Sequence, residues 1–412
     1  MAAPHSRPFL SVLWQTFSAA PHRVMFLPGA LQGVAIMVWW LLELESGIGP
    51  LALPVTALAP APAHAWLMLY GFFPFFIFGF AFTAVPNWLN SSKIPPAAYV
   101  GSFLPLAAGA ALFYPGIYHL PLAATAVALH ALGMAVALAA LWHSLVKATV
   151  DDRRHAWAIC LAILTGVTGD LAFLAWLHLE QPAWLMLAQA LAVWGFLTPV
   201  FLTVCHRMIP WFTSRVVSNY VMIRPYGLLW AMLAASLGHA LLETAGLSPL
   251  TWLTDLPLAA IALWFTLRWG IARSLHVRLL AMLHIAFVWA TLAFGLSALG
   301  ALGLWLDWPW TGGFGPLHAL GIGFFGSMLI GMASRVSLGH SGHALEADRL
   351  TWWLFWLIQA AALVRLLPDL LPDIAPYRIA SLAAVIWLIA FGGWAWRYAP
   401  YYWRPRADGK PG

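Results

Sequence analysis

Charged residues are scarce in this chain: Asp, Glu, Lys and Arg make up only 8% of its 412 residues. Soluble domains carry about 25% charged residues. Hydrophobic residues account for 62% of the chain, and the mean hydropathy is +0.82. This composition excludes an ordinary soluble domain and predicts a polytopic membrane protein.

Cysteine is also rare, and the motifs of common catalytic sites are missing. The two cysteines, Cys160 and Cys205, form neither a CxxC pair nor a zinc-like pattern. There is no P-loop, GxSxG, HExxH or CxxCH motif. Asp170 is the one carboxylate that the sequence places clearly within an apolar run. A relay of paired carboxylates, as in a proton-coupled antiporter, is therefore not expected.

Long apolar runs dominate the sequence that is present. A membrane-spanning helix needs about 20 apolar residues. Twelve runs predict helices α1 to α12 near residues 24–44, 62–86, 97–114, 118–146, 156–177, 183–208, 224–244, 252–274, 277–305, 314–336, 350–367 and 376–398. The first run lacks a cleavage site of small residues, so we expect a retained helix rather than a signal peptide. The connections are short, which predicts a single membrane domain over residues 1–412.

The few charges are distributed asymmetrically about these helices. With the N-terminus inside, 18 of the 20 basic residues fall on the inner side, and only Arg365 and Arg378 fall outside. Acidic residues such as Asp255 and Asp369 are assigned to the outer side. The positive-inside rule therefore predicts a bacterial inner-membrane protein with both termini in the cytoplasm. It also explains the basic pI of about 9.5 without a nucleic-acid partner.

Three Gly–Phe motifs suggest an internal repeat. They are GFFPFF from Gly71 in α2, GFLTPVF from Gly195 in α6 and GFFGSML from Gly323 in α10, and they are separated by 124 and 128 residues. The spacing is four helices each time, so the chain is interpretable as three sets of four helices. Chance recurrence in an apolar composition is the alternative. Repeats in membrane proteins usually place the site where they meet.

Histidines near the outer ends of α2 and α10 are the leading candidates for cofactor ligands. His64 and His318 each begin a helix that runs inward, and each precedes a Gly-Phe-Phe sequence. Haem is held by side chains that approach its iron from the two faces of the ring. Gly71, Gly321 and Gly323 would give the macrocycle room between the helices. The alternative is two interfacial histidines that reach towards water.

Other polar groups within the predicted helices carry weaker hypotheses. His239 and Asp170 lie in the outer half of the bilayer and could face each other. His284, in α9, is either a metal ligand or a satisfied buried imidazole. His340 and His343 have the i, i+3 spacing of a two-residue chelate, although the adjacent glycines favour a loop. Two arginines, Arg207 and Arg335, close α6 and α10 as topology anchors or as partners of a bound anion.

Four stretches of the chain resemble the NnrS family of bacterial inner-membrane proteins. They are HAWLMLYGFFPFFIFGFAFTAVPNW from His64, CHRMIPWFTSRV from Cys205, LLAMLHIAFVWATLAFGLSALG from Leu279 and HALGIGFFGSMLIGMASRVSLGHSGH from His318. The resemblance implies haem and copper cofactors and a role in nitric oxide metabolism and nitrosative-stress resistance. By position, this resemblance implies that four histidines and two arginines of the chain match residues of the family pattern: His64, His284, His318, His340, Arg207 and Arg335. The family pattern HAHEM reads HAWLM here, so Trp66 and Leu67 replace a histidine and a glutamate. Gly342–His343 stands where the family has Gly-Arg.

The helix count and the two histidines are similar to the core subunit of haem–copper oxidases and nitric oxide reductases, at the level of fold alone. On that analogy His64 and His318 are axial ligands of one haem b, with His239 as the copper-ligand candidate on α7. No turnover is predicted. We expect a haem-binding protein that handles nitric oxide or a nitrosyl iron species. One alternative is a secondary transporter with helices broken at Pro74, Pro105 and Pro199. Another is an assembly partner of a respiratory complex.

Overall fold

The computed structural model describes residues 9–308, 310–371 and 375–410, with side chains from residue 13 onward. In this part of the chain all regular structure is helical and no strand is present. Twelve helices are long and apolar enough to cross a membrane. The predicted all-α membrane fold with twelve spanning helices is confirmed.

The helices extend beyond most of the predicted ends. They are Pro21–Ile48 (α1), Pro60–Trp88 (α2), Pro96–Gly116 (α3), Leu120–Val146 (α4), Arg154–Leu179 (α5), Pro182–Val216 (α6), Tyr226–Thr244 (α7), Ser248–Arg268 (α8), Arg278–Trp305 (α9), Gly315–His340 (α10), Arg349–Leu370 (α11) and Pro376–Trp403 (α12). Five begin with proline, whose fixed φ and missing N–H suit the first turn. A short helix, Phe9–Phe17, precedes α1.

The two ends of the described chain lie on the same side of the bundle. Arg23, at the start of α1, donates from Nη1 to the carbonyl of Arg404 over 2.8 Å. Tyr99, at the start of α3, donates from its hydroxyl to the carbonyl of Ser18 over 2.7 Å. We call this the terminal side and the opposite side the distal side. Helices α2, α6 and α10 therefore run from the distal side to the terminal side.

Three helices form the centre of the bundle. α2, α6 and α10 are the most buried of the twelve. Their aromatic rings meet in the core: Phe73 lies 5.8 Å from both Phe201 and Phe325, and the last two rings are 4.6 Å apart. The three helices that carry the Gly–Phe motifs are thus in contact with one another.

Each central helix is irregular at its Gly–Phe pair. In α2, turns at residues 70–72 interrupt the helix between Pro60–Leu69 and Phe73–Trp88. In α6 and α10, the segments Leu191–Leu197 and Ala319–Gly326 widen to π-helix. Short π-helical segments within α-helices are frequent at functional sites. The irregular turns lie at the middle of the bundle, where the three helices touch.

Close approach of helix backbones depends on glycine at several contacts. A Cβ added at Gly109 of α3 would lie 2.5 Å from the carbonyl oxygen of Ala126 in α4. One added at Gly133 of α4 would lie 2.5 Å from Leu106 of α3. In a bilayer, helix association relies on packing and not on the hydrophobic effect, so small residues at an interface are decisive.

Candidate functional site

His64 and His318 lie near each other at the distal ends of α2 and α10. They are close enough to interact electrostatically with each other and with Arg365 of α11. The His64 ring stacks on Trp40 of α1, with centroids 4.1 Å apart. Its Nδ1 is buried and has no hydrogen-bond partner among the described residues. The structure therefore brings together the two histidines that the sequence singled out.

The hydrogen bond of His318 leaves one ring nitrogen for a ligand. His318 Nδ1 lies 2.8 Å from the carbonyl oxygen of Phe314, which can only accept, so Nδ1 carries the proton. Nε2 of the neutral ring is then an acceptor. Metal-ligating histidines almost always hold their other nitrogen in this way.

Of the three glycines proposed to make room for a macrocycle, one borders open space. Apart from the backbone of its own helical turn, no atom lies within 4 Å of a Cβ added at Gly321. At Gly323 the added Cβ would lie 2.5 Å from the indole of Trp289. At Gly71 it would lie 2.8 Å from the carbonyl oxygen of Leu67. Gly323 thus serves the packing of α10 on α9, Gly71 accommodates the turn of its own helix, and Gly321 alone leaves space beside His318.

Arg365 is a candidate binding residue that the sequence reasoning missed. It lies near both histidines, and its Nη1 pairs with Asp369 Oδ2 at 3.0 Å. Asp369 Oδ1 also accepts from the backbone N–H of Phe314, in the turn that leads to His318. The charge pattern of the sequence could have indicated it, because Arg365 is one of only two basic residues that fall on the predicted outer side.

The expected contact between His239 and Asp170 is wrong. His239 Nδ1 lies 2.6 Å from Asp255 of α8, and its ring stacks on Trp194 with centroids 3.7 Å apart. Asp170 instead lies 2.7 Å from His130 Nδ1. Asp255, which the sequence analysis assigned to the outer side and did not count as a carboxylate within an apolar run, is fully buried in the first turn of its helix. The bundle therefore contains two separate histidine–aspartate pairs.

His284 is a buried, satisfied imidazole. Its Nε2 lies 3.0 Å from the hydroxyl of Thr213 and 3.0 Å from that of Ser274. These contacts join α9 to α6 and to the short segment before α9. Two hydroxyl partners meet the hydrogen-bonding needs of that nitrogen, which favours the structural alternative over the metal ligand.

His340 and His343 contact different rings. His340 ends α10, and its ring lies 4.7 Å from that of His22 in α1. The His343 ring lies 4.8 Å from that of Tyr401. The two rings have different neighbours, and the chain turns between them at Gly342, where φ is +76°. His22, which the sequence reasoning did not select, is the partner of His340.

The two arginines that close α6 and α10 both stack on aromatic rings. The Arg335 guanidinium lies 3.9 Å from the ring centroid of Phe212. That of Arg207 lies 4.8 Å from the centroid of Trp88, and its Nη1 is 3.4 Å from His155 Nδ1. Cation–π contacts of this kind stabilise a partly buried guanidinium. Neither arginine lies at the distal site of His64 and His318.

A polar cluster around His155 was not anticipated either. His155 Nε2 lies 3.0 Å from His206 Nδ1, and Tyr226 donates to Asp152 over 2.5 Å. Burial would raise the pKa of Asp152, but hydrogen bonds from Arg154 and Tyr226 outweigh it and hold that pKa well below its usual range. The cluster links the loop before α5 to α6 and α7.

The sequence profile described as NnrS protein matches residues 16–406, nearly the whole chain. The chain belongs to the NnrS family. No curated protein matches it significantly. The resemblance noted at His64 and His318 thus extends across all twelve helices of this NnrS-family chain.

Where the NnrS pattern has its second histidine, this chain uses Trp66 to bind a carboxylate. Trp66 Nε1 donates to Asp170 Oδ1 over 2.8 Å, and its ring stacks on Phe113 with centroids 4.0 Å apart. In the described residues no group of three or more His, Cys, Asp or Glu side chains gathers to hold a metal. A multidentate copper site at this position does not fit the residues present.

Proposed function

We propose that this NnrS-family protein binds a haem b between α2 and α10 and serves nitric oxide metabolism or nitrosative-stress resistance in the bacterial inner membrane. The proposal depends above all on the proximity of His64 and His318, each with a ring nitrogen that no described residue occupies. Neutral imidazoles on two helices are the donors that a membrane-embedded haem needs. When bound, the haem iron supplies the coordination chemistry for nitric oxide or a nitrosyl iron species.

The neighbours of the two histidines suit this role. The carbonyl of Phe314 fixes the tautomer of His318 and leaves Nε2 available. Trp40 holds the ring plane of His64 by stacking. Open space at Gly321 lies where a flat macrocycle would enter beside α10. These contacts orient the donors before a cofactor binds, which lowers the entropy lost on binding.

The positive charge of Arg365 is complementary to the negatively charged propionates of haem. Haem b carries two propionate carboxylates, and arginine binds carboxylates with charge-assisted hydrogen bonds. Arg365 is mostly buried and is already paired with Asp369 at 3.0 Å. A propionate would share or replace that carboxylate. Its position on the distal side would direct the propionates towards the predicted outer surface.

An apolar cavity at the centre of the bundle suits a small neutral ligand. Its volume is about 60 Å³, and it lies between α1, α2, α5, α6 and α10. Every lining side chain is apolar, including Phe76, Phe201 and Met328. Nitric oxide is small, neutral and weakly polar, so such a space can hold it without charged groups. The cavity supports a role with a dissolved gas.

A secondary transporter remains the second candidate. It is favoured by the interruption of α2 and the π-helical segments of α6 and α10, because transporter sites are built on discontinuous helices. The central cavity opposes it, since an apolar lining offers no partner for a polar or charged solute. Saturable uptake of a labelled solute into proteoliposomes would support this candidate.

The haem proposal is tested by optical and pyridine-haemochrome spectra of the full chain, purified from cells supplied with haem. We expect a b-type spectrum that shifts with nitric oxide. His64→Ala and His318→Ala should each abolish or strongly shift the Soret band. His119→Ala alters an exposed histidine on the distal side and should leave it unchanged. A colourless protein, or the same spectrum in all four proteins, would overturn the proposal.

A further inference from the structure

A polar cavity opens on the terminal side of the bundle, where four helices begin or end. Its volume is about 450 Å³. Its walls are the start of α9, the end of α10 with the loop that follows, the start of α11 and the end of α12. The proposed haem site lies at the opposite ends of the helices, so this cavity has no part in it.

Three arginines on three different helices line the cavity: Arg278 of α9, Arg349 of α11 and Arg397 of α12. Two carboxylates, those of Glu346 and Asp348, line it as well. Three positive charges against two negative ones leave a net charge of +1 when the histidine of the lining is neutral. The cavity is therefore suited to a ligand with a single negative charge.

Two of the three guanidinium groups keep their charge available for a ligand. Asp348 caps α11 and lies 3.3 Å from Nε of Arg397, so these two charges neutralise each other. Arg278 donates from Nη1 to the carbonyl of Ala347 over 3.2 Å, and that acceptor carries no charge. Arg349 makes no hydrogen bond or ion pair with the described residues. An anion in the cavity would therefore meet Arg278 and Arg349.

Arg397 is held in place by the wall of the cavity. Besides its contact with Asp348, it donates from Nη1 to the hydroxyl of Tyr401 over 2.6 Å. The Tyr401 ring in turn lies 4.8 Å from the ring of His343, in the loop after α10. These contacts tie the end of α12 to that loop. Arg397 thus shapes the cavity, and Arg278 and Arg349 supply its free positive charge.

The exposed face of α11 leads from the cavity into the bilayer. Trp353, Trp356 and Leu363 follow Arg349 by 4, 7 and 14 residues, which places all four on one face of the helix. All are exposed, and Trp353 is 68% exposed. Because α11 spans the membrane, this apolar face contacts acyl chains. Arg349 stands at its end, where lipid headgroups lie.

We propose that this cavity binds the headgroup of an anionic phospholipid, with its phosphate on Arg278 and Arg349 and its acyl chains along the exposed face of α11. Guanidinium groups bind phosphate with charge-assisted hydrogen bonds. A phosphodiester carries one negative charge, which the net charge of the cavity complements. Basic cavities between helices on the cytoplasmic side bind such headgroups, and the terminal side is predicted to be cytoplasmic.

A soluble anion would use the same guanidinium groups, but the apolar face of α11 favours a lipid. A free phosphate would leave Trp353 and Trp356 without any part in binding. A phospholipid places its charged group in the cavity and its chains on these rings. It also joins α9 to α11 through one phosphate. We therefore expect the bound lipid to raise the unfolding temperature of the chain in detergent.

The test is native mass spectrometry of the delipidated full chain in detergent, titrated with phosphatidylglycerol or with phosphatidylcholine of the same acyl chains. We expect one phosphatidylglycerol to bind more tightly than phosphatidylcholine, and its affinity to fall as ionic strength rises. Arg349→Gln should weaken phosphatidylglycerol binding about fivefold, the contribution of one arginine at an anionic lipid surface. Glu346→Gln removes a negative charge and should strengthen binding by a similar factor.

Arg215→Gln is the matched control, because Arg215 is an exposed arginine at the terminal end of α6 and does not line the cavity. It should bind phosphatidylglycerol like the unaltered chain. Should Arg349→Gln fail to fold, Glu346→Gln decides the question by its opposite effect. The proposal is overturned by equal affinities for the two lipids, or by equal affinities of Arg349→Gln and Arg215→Gln for phosphatidylglycerol. Displacement of the lipid by an equal concentration of glycerol 3-phosphate would also overturn it, in favour of a soluble anion.

Discussion

At the scale of single residues, buried histidines pair with carboxylates or hydroxyls inside a bundle that has few charges. His130 and Asp170 are completely buried, and so is Asp255 beside His239. An ionisable group within the bilayer is costly unless it is paired. Each pair links two helices, and each is completed by a further donor: Trp66 on Asp170, and Ser297 on Asp255. Such pairs fix the rotation of each helix about its own axis relative to its neighbour.

Removing the carboxylate of Asp170 should destabilise the fold. Asp170→Ala leaves His130 Nδ1 and the Trp66 N–H buried without partners. Breaking a buried pair from one side costs about 3–5 kcal/mol. We expect a clear fall in the thermal unfolding midpoint in detergent. Asp151→Ala alters an exposed carboxylate and should not change it. Equal midpoints for the two variants would show that the pair contributes nothing.

Asp152 should make stability depend on pH at acidic values. Its pKa is held below the usual value by Arg154 and Tyr226, so it binds fewer protons in the folded state. Its contribution is therefore complete above the unfolded pKa of about 4 and is lost as pH falls through the folded pKa. The side chain is 41% exposed, which limits the effect to about 1 kcal/mol or less.

The measurement compares Asp152→Asn with the unaltered chain by thermal unfolding in detergent at several pH values. The unaltered chain should be more stable at pH 6, and the difference should shrink below about pH 4. A difference that grows as the pH falls would contradict the assigned direction of the pKa shift. Asp151→Asn, at the neighbouring exposed residue, is the control for general effects of charge.

At the scale of the elements, glycine decides how closely the helices approach. The α3–α4 contact is the clearest case, because the atom opposite Gly109 is a backbone carbonyl oxygen that cannot rotate away. A side chain at this position forces the two helices apart over several turns. The same helix also carries Gly101, where an added Cβ meets nothing within 4 Å.

Gly109→Ala should therefore destabilise the bundle, and Gly101→Ala should not. An overlap of this kind typically costs about 1–3 kcal/mol, whereas alanine in a free helical position is about 1 kcal/mol more favourable than glycine. Thermal unfolding of both variants in the same detergent measures the difference. An equal or higher midpoint for Gly109→Ala would mean that α3 and α4 do not pack as closely as described.

The irregular turns of α2, α6 and α10 were marked in the sequence only as Gly–Phe repeats. Their spacing predicted that these helices correspond, but not that α2 breaks while the other two widen into π-helix. Each turn forms against a different neighbour: the Cβ position of Gly195 faces Thr165, and that of Gly323 faces Trp289. The local sequence thus places a glycine at each irregular turn, and the neighbouring helix determines whether that turn breaks or widens into π-helix.

At the scale of the whole molecule, the orientation in the membrane is the main prediction. The terminal side is expected to face the cytoplasm, because basic residues concentrate there. Single cysteines can report this, since both native cysteines are buried. Val55 is 95% exposed in the loop between α1 and α2 on the distal side, so Val55→Cys places a thiol there. Ser92→Cys places one in the loop after α2, at an exposed residue on the terminal side.

A membrane-impermeant maleimide should label Val55→Cys in spheroplasts without permeabilisation. It should label Ser92→Cys only after the membrane is opened. The unaltered chain, with its buried thiols, serves as the unlabelled control. The reverse pattern would place the termini outside and would reverse the assigned inner and outer sides of the bundle. Labelling of both positions in intact spheroplasts would contradict the count of spans between them.

Sequence alone determined the number, order and approximate ends of the twelve helices. A bilayer leaves no alternative for an apolar run of this length, because every backbone N–H and C=O must be satisfied within the segment. The depth of each polar residue in the bilayer followed from its position within its apolar run. That was enough to bring His64 of α2 and His318 of α10 to the same end of the bundle.

Only the tertiary structure decided which side chains meet. Depth does not give the rotation of a helix about its axis or the identity of its neighbour, so the sequence could not separate Asp170 from Asp255 as the partner of His239. It likewise gave no reason to pair His22 with His340, which are 318 residues apart. Such pairs form when distant helices pack, and the steric fit of those helices selects them.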